Sequence, residues 1–231
     1  MSDQKRLNQI RVMLELQDEL NCLINPEWID ASYSWTRAAW IECAELMEHV
    51  GWKWWKKQTP NMPQAHMELV DIFFFILSNL LVEESSLDNL DLAEKILYDT
   101  SDEAVEATKE VFEGLDTLEY IEALAGALLE EYPDYITLFA IVCEKLELSF
   151  DDLYKMYISK NVLNIFRQNN GYKEGTYIKQ WPSVLCPNDT VEDNVYLEGF
   201  LNESETQSMF KNQPEKVFDY LYDRLDANYP G

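Results

Sequence analysis

The stretch HMELVDIFFFILSNLLV, residues 66–82, decides how the chain is read. From Leu69 to Val82 every residue is apolar except Asp71, Ser78 and Asn79. At about 100° per residue, Asp71, Phe75, Ser78 and Asn79 all fall within roughly 80° of Glu68 on a helical wheel. A helix that is apolar all round but for one narrow polar stripe is buried, and its stripe must face something that satisfies it. The apolar run from 72 to 82 is too short to cross a bilayer, so it reads as a core helix of a cytoplasmic protein.

The rest of the chain supports helices. It holds 231 residues with only 7 Gly and 8 Pro, and several runs rich in Leu, Glu and Ala. Only GTYIKQW, at 175–181, has any strand character, so an all-α fold is expected, long enough for one sizeable core. Acidic residues outnumber basic ones 43 to 18, a net charge of −25. That charge leaves no basic footprint for nucleic acid or anionic membranes, and an anionic substrate would need a metal or a concentrated cationic stripe. Cys22, Cys43, Cys143 and Cys186 are scattered without metal-ligand spacing, which suits reduced thiols. The N-terminus lacks the apolar region of a signal peptide.

Four helices are expected around one centre, at about 5–23, 34–50, 64–83 and 150–168, the last stopping at NNGY with Gly171 as its cap. Residues 1–83 and 150–231 form the expected core. Between them, 84–149 is acidic and carries further helical patterns, and it reads as an inserted, mobile helical subdomain. Residues 171–195 read as a long loop, followed by two terminal helices near 193–202 and 214–227.

WIECAELMEHVGWKWWKK, residues 40–57, lies on the second helix and the turn after it. Glu42 and Glu45 are three apart and share a face with Ala38, Ala39, Leu46 and His49, among apolar neighbours. ExxE is common on solvated helices, but Glu68 and Asp71 repeat the spacing on a buried stripe. Four carboxylates on two helices suit a hard, oxygen-preferring cation such as Mg²⁺. A di-iron bundle would need Glu-x-x-His motifs, and neither His49 nor His66 lies three after a Glu. On the fourth helix Lys160, Asn164 and Arg167 form a stripe at i, i+4 and i+7, which is either an ordinary exposed face or a phosphate clamp. Gln17 and Asn21 place two amides one turn apart on the first helix, as surface residues or as readers of a base edge. Of Trp52, Trp54 and Trp55, at least one is expected in the core, Trp52 first, and another could stack on a base.

Taken in order, LQDELN, ECAEL with WKWWK, ELVDI with FILS, and KNVLNIFRQNNGY resemble the dimeric, all-α dUTPases of the all-α nucleoside triphosphate pyrophosphatase superfamily. The resemblance implies a helical-bundle homodimer that splits dUTP into dUMP and pyrophosphate by in-line water attack; the chain's own departure at Phe74 leaves dUDP as a further expected substrate. It implies that Glu42, Glu45, Glu68 and Asp71 bind magnesium, about two or three ions per site with Mn²⁺ able to substitute, Glu45 also orienting or deprotonating the attacking water. Lys160, Asn164, Arg167, Tyr172 and Lys179 would hold phosphates or sugar. Gln17, Asn21, Trp55 and Phe75 would shape the base pocket.

The chain departs from the family where a Trp-His-Phe-like run is expected after Asp71, carrying Phe73, Phe74 and Phe75 instead. Loss of a polar side chain at Phe74 bears on base selectivity, so a pyrophosphatase acting on dCTP or another pyrimidine nucleotide is the nearest alternative. A non-catalytic helical interaction protein using its acidic surface is the other.

Overall fold

The computed structural model describes residues 3–183 and 189–231. Among them the chain forms α1 (Asp3–Ile24), α2 (Trp35–Val50), α3 (Met62–Glu83), α4 (Asn89–Asp99), α5 (Asp102–Val111), α6 (Thr117–Glu130), α7 (Tyr135–Lys145) and α8 (Phe150–Asn169). After these come β1 (Gln180–Pro182), β2 (Thr190–Glu192), α9 (Asp193–Leu201), α10 (Ser204–Asn212), a 3-10 turn at Pro214–Lys216, and α11 (Val217–Asp226). The fold is all-α as expected, with one two-stranded antiparallel ribbon. The chain divides into two compact units, Met1–Glu19 with Glu27–Tyr154, and Leu20–Pro26 with Lys155–Gly231.

The first unit is built on α3. Leu69, Val70, Ile72, Phe73, Ile76 and Leu77 are each at most 1% exposed, as an all-round apolar helix requires. Each such side chain contributes about 1.5–3 kcal/mol of burial free energy before entropy is counted. Phe73 stacks on Phe139 of α7 with centroids 5.0 Å apart and planes 7° apart. Helix α3 starts with Met62 and Pro63, and it runs for 22 residues, so it is long and apolar enough to cross a membrane by length and composition. The expectation of an apolar segment too short to span is corrected in that respect. Of its most apolar stretch, 67% is buried inside the protein, which is the position of a core helix.

Segment 84–149 belongs to this same unit. Helix α6 packs on α2 and α7, and α5 packs on α7, so the apolar faces of these helices close on the core that α2 and α3 share. Ile121 and Leu124 of α6 and Ile141 and Val142 of α7 are fully buried. The helix starts follow local chemistry: the Asp88 carboxylate accepts from the Leu90 and Asp91 N–H groups, the Ser101 hydroxyl from Ala104, and Asp116 with Glu119 forms a capping box on α6.

The second unit has an aromatic core. Phe166 of α8 meets Tyr177, Trp181, Tyr222 and Tyr229 edge-on at centroid distances of 5.3 to 6.3 Å. Trp181 on β1 is fully buried and donates its Nε1–H to the Ile178 carbonyl at 2.8 Å. The 171–195 region is therefore not all loop: Gln180 pairs with Glu192, Trp181 with Val191 and Pro182 with Thr190. The C-terminal region holds α10 in addition to the two helices expected. Only Thr206 and Phe210 of α10 are buried, too few apolar positions to make a periodic signal. Cys186 lies outside the described residues; Cys43 and Cys143 are buried thiols and Cys22 is exposed.

Candidate metal centre

Helices α2 and α3 pack against each other, with α3 returning along α2. The N–H of Asn61, just before α3, donates to the His49 carbonyl near the end of α2 at 2.8 Å. That register sets the carboxylates. Glu42, one turn before Glu45, meets Glu68 and Asp71, and one oxygen from each of the three lies within 4.8 Å of the others. Glu68 is 7% exposed, while Glu42 and Asp71 are half-buried. Three carboxylates this close repel one another unless a cation sits among them or one binds a proton. An all-oxygen donor set in a partly buried pocket fits a hard divalent ion such as Mg²⁺ or Mn²⁺.

Glu45 stands apart from this group. It is exposed on α2 and lies outside the three-carboxylate cluster. The polar stripe of α3 also divides. Ser78 donates to the Phe74 carbonyl at 2.9 Å, and Asn79 reaches the Tyr135 hydroxyl at 3.4 Å, which itself donates to Glu83 at 3.1 Å. The far end of the stripe is thus satisfied within the protein, and the end carrying Glu68 and Asp71 faces α2. Just beside Glu42, burial and that carboxylate raise the Cys43 thiol to about 12, so it stays protonated.

Other expected residues of the first unit sit as follows. Gln17 is buried at 3% exposure. Phe75 is half-buried and stacks on Trp35, with centroids 6.3 Å apart. Trp35 in turn meets Trp28 and Tyr33 edge-on. Trp35 was not singled out in the sequence, because a lone aromatic at a helix start carries no pattern. The tryptophan run is corrected: none of its three indoles is in the core. Trp52, Trp54 and Trp55 are 38%, 90% and 56% exposed and pack edge-on against one another, and Trp52 donates to Glu48 at 2.8 Å. They follow α2 in the non-helical stretch before α3. Phe74, at 6% exposure, belongs to the core of α3.

In the second unit Asn21 is buried, Lys160 and Asn164 are half-buried, and Tyr172 and Lys179 are exposed. Arg167 is held by a residue the sequence reading missed. Its Nε and Nη2 donate to the two oxygens of Asp193 at 2.7 and 2.8 Å, and Tyr177 donates to the same carboxylate at 2.8 Å. Asp193 is fully buried at the start of α9. Burial pushes its pKa up, but the Arg167 bonds and charge and the Tyr177 bond outweigh that and hold it below the usual carboxylate value. Lys179 pairs with Glu192 at 3.2 Å on the surface.

The sequence profile of a family described as dUTPase matches residues 9–172. The chain belongs to the dUTPase family. The match spans α2, α3 and α8, and so includes every expected site residue except Lys179. No curated protein matches the chain. For a dUTPase-family chain, the meeting of Glu42, Glu68 and Asp71 is the feature with the clearest chemistry, because a nucleotide pyrophosphatase must offset the charge of a polyphosphate. In this dUTPase-family fold the histidine nearest that cluster is His49, whose Nε2 lies 3.3 Å from Oε1 of Glu68. Its signal in the sequence was its place on the Glu42 face.

Proposed function

We propose that the protein is a magnesium-dependent dUTP pyrophosphatase, releasing dUMP and pyrophosphate. The observation that carries this reading is the convergence of Glu42, Glu68 and Asp71 in a chain of the dUTPase family. These three would hold the metal, and a bound divalent ion supplies charge neutralisation at the phosphates and a more acidic water. Glu45, one turn along α2 and open to solvent, is proposed to orient the attacking water and accept its proton. Phe75, stacked on Trp35, is proposed to offer an aromatic surface to the pyrimidine, and Gln17, Asn21 and Trp55 are proposed to take part in base recognition on the resemblance alone. Lys160, Asn164, Arg167, Tyr172 and Lys179 are proposed as ligands of phosphate and sugar, on the resemblance alone. A homodimer in the cytoplasm is part of the same reading, and the burial of α3 supports a soluble enzyme.

Purified protein incubated with each deoxynucleoside triphosphate and Mg²⁺ is expected to release pyrophosphate from dUTP, and to stop when EDTA is added. Release from dCTP and not dUTP would move the assignment to another base, and no release from any nucleotide with Mg²⁺ or Mn²⁺ would end the enzyme reading. Glu45→Gln is expected to abolish turnover, by on the order of 10²-fold or more, with helix content unchanged by circular dichroism. Turnover near that of the unaltered protein would remove Glu45 from this role.

A further inference from the structure

His49 joins α2 to α3 at two points. Its carbonyl accepts the Asn61 N–H at 2.8 Å, which anchors the residue before α3. Its ring Nε2 lies 3.3 Å from Oε1 of Glu68, the most buried member of the carboxylate cluster. A carboxylate with so little access to water needs donors or a cation to stay charged, and each donor also fixes its orientation. His49 is not itself within the group of three, so it touches a ligand rather than adding one. It stands seven residues after Glu42, two helical turns along the same face, so one helix supplies both a member of the cluster and the support of another.

We propose that His49 is a positioning residue of the metal centre: its ring, with Nε2 3.3 Å from Oε1, holds one oxygen of Glu68 and so fixes the edge that this carboxylate presents beside Glu42 and Asp71. The inference rests on reading the cluster as a metal site. Groups that orient a metal ligand from outside change metal affinity by about 10–100-fold when removed, without contributing a bond to the ion. The backbone bond from Asn61 to His49 ties the start of α3 to the end of α2 close to where the His49 ring meets Glu68.

The chain has two histidines, which makes the test direct. His66 Nε2 lies 2.8 Å from the Leu146 carbonyl and serves as an internal reference. In ring-nitrogen NMR spectra of the full ¹⁵N-labelled chain, Mg²⁺ is expected to shift the His49 Nε2 resonance and leave that of His66 in place. Mn²⁺ binding followed by EPR supplies the second readout. Gln places an amide N–H near the reach of Nε2, whereas Asn is too short. Thus His49→Asn is expected to weaken Mn²⁺ binding about tenfold, and His49→Gln to stay within about threefold of the unaltered protein. Equal affinities for the two variants, or a His49 resonance unmoved at saturating Mg²⁺, would overturn the proposal. The NMR arm uses the unaltered chain and stands even where a variant fails to fold. Absence of Mn²⁺ binding by the unaltered protein would instead remove the metal reading, and the inference with it.

Discussion

The pairing of Arg167 with Asp193 shows how one buried residue fixes the place of another that the sequence left on an open stripe. In the sequence Arg167 was one of three polar residues on a helix face; in the fold its planar fork is matched by a carboxylate with no exposure. Removing one partner of a buried pair strands the other charge, at a cost of about 3–5 kcal/mol. Asp193→Asn is expected to lower unfolding free energy by that order in urea titrations at pH 7. The sign with pH follows from the depressed pKa of Asp193 in the fold. Its contribution is fully present above the unfolded value of about 3.9 and is lost as pH falls through the lower folded value, so the gap between Asp193→Asn and the unaltered chain should close in strong acid. A gap that stays constant down to about pH 2 would place the effect elsewhere. Asp193 was missed because its partner lies 26 residues away in the chain, and the acids of VEDN form no local pattern that points to it.

Among the helices, the ends carry most of what can be tested. Helix α8 stops as its NNGY sequence suggests: Gly171 has φ +86°, Tyr172 N–H reaches the Arg167 carbonyl at 3.0 Å, and Gly171 N–H reaches that of Gln168 at 3.3 Å. A Cβ at Gly171 would collide with the Thr176 hydroxyl, so Gly171→Ala should cost more than the strain of a left-handed backbone alone. Helix α7 ends with the same geometry, but Glu147 occupies the left-handed position at φ +58°, with Leu148 N–H on the Cys143 carbonyl at 2.9 Å. Glu147→Gly is expected to stabilise the protein by about 0.5–1 kcal/mol, read as a rise in thermal midpoint. At the other end of an element, Asp116→Ala should cost about 1 kcal/mol by removing the capping box of α6. Helices α1, α2, α3 and α8 were legible within a few residues of their ends, whereas α4 to α7 showed as helical patterns without bounds. Helix α10 and the β1–β2 ribbon were not, because three-residue strands and two buried positions hold too little local signal.

Over the whole molecule the dominant quantity is charge. At −25, the folded chain repels itself, and the repulsion is screened over about 10 Å at 0.1 M salt. Raising NaCl from about 10 to 150 mM should therefore raise the thermal midpoint. Millimolar Mg²⁺ at matched ionic strength should raise it further in the unaltered protein, by binding the folded state, and not in Glu68→Gln. An equal Mg²⁺ response in the two would mean that the ion acts as general screening rather than at the cluster.

The sequence by itself determined the helical class, the burial of α3 and the ExxE and ExxD spacings, since these depend on spacing within single helices and on an apolar run that only a core can take. Tertiary structure alone decided which carboxylates meet. Glu42, Glu68 and Asp71 converge while Glu45 faces solvent, because the packing of α2 on α3 brings only Glu42 of its ExxE pair to the two acids of α3. Periodicity states which residues share a face, but not which part of that face lies against the neighbouring helix. The pairing of Arg167 with Asp193 was hidden for the same reason: it joins residues far apart in the chain, and no local pattern encodes it, whereas His49 showed only its face and not its contact with Glu68.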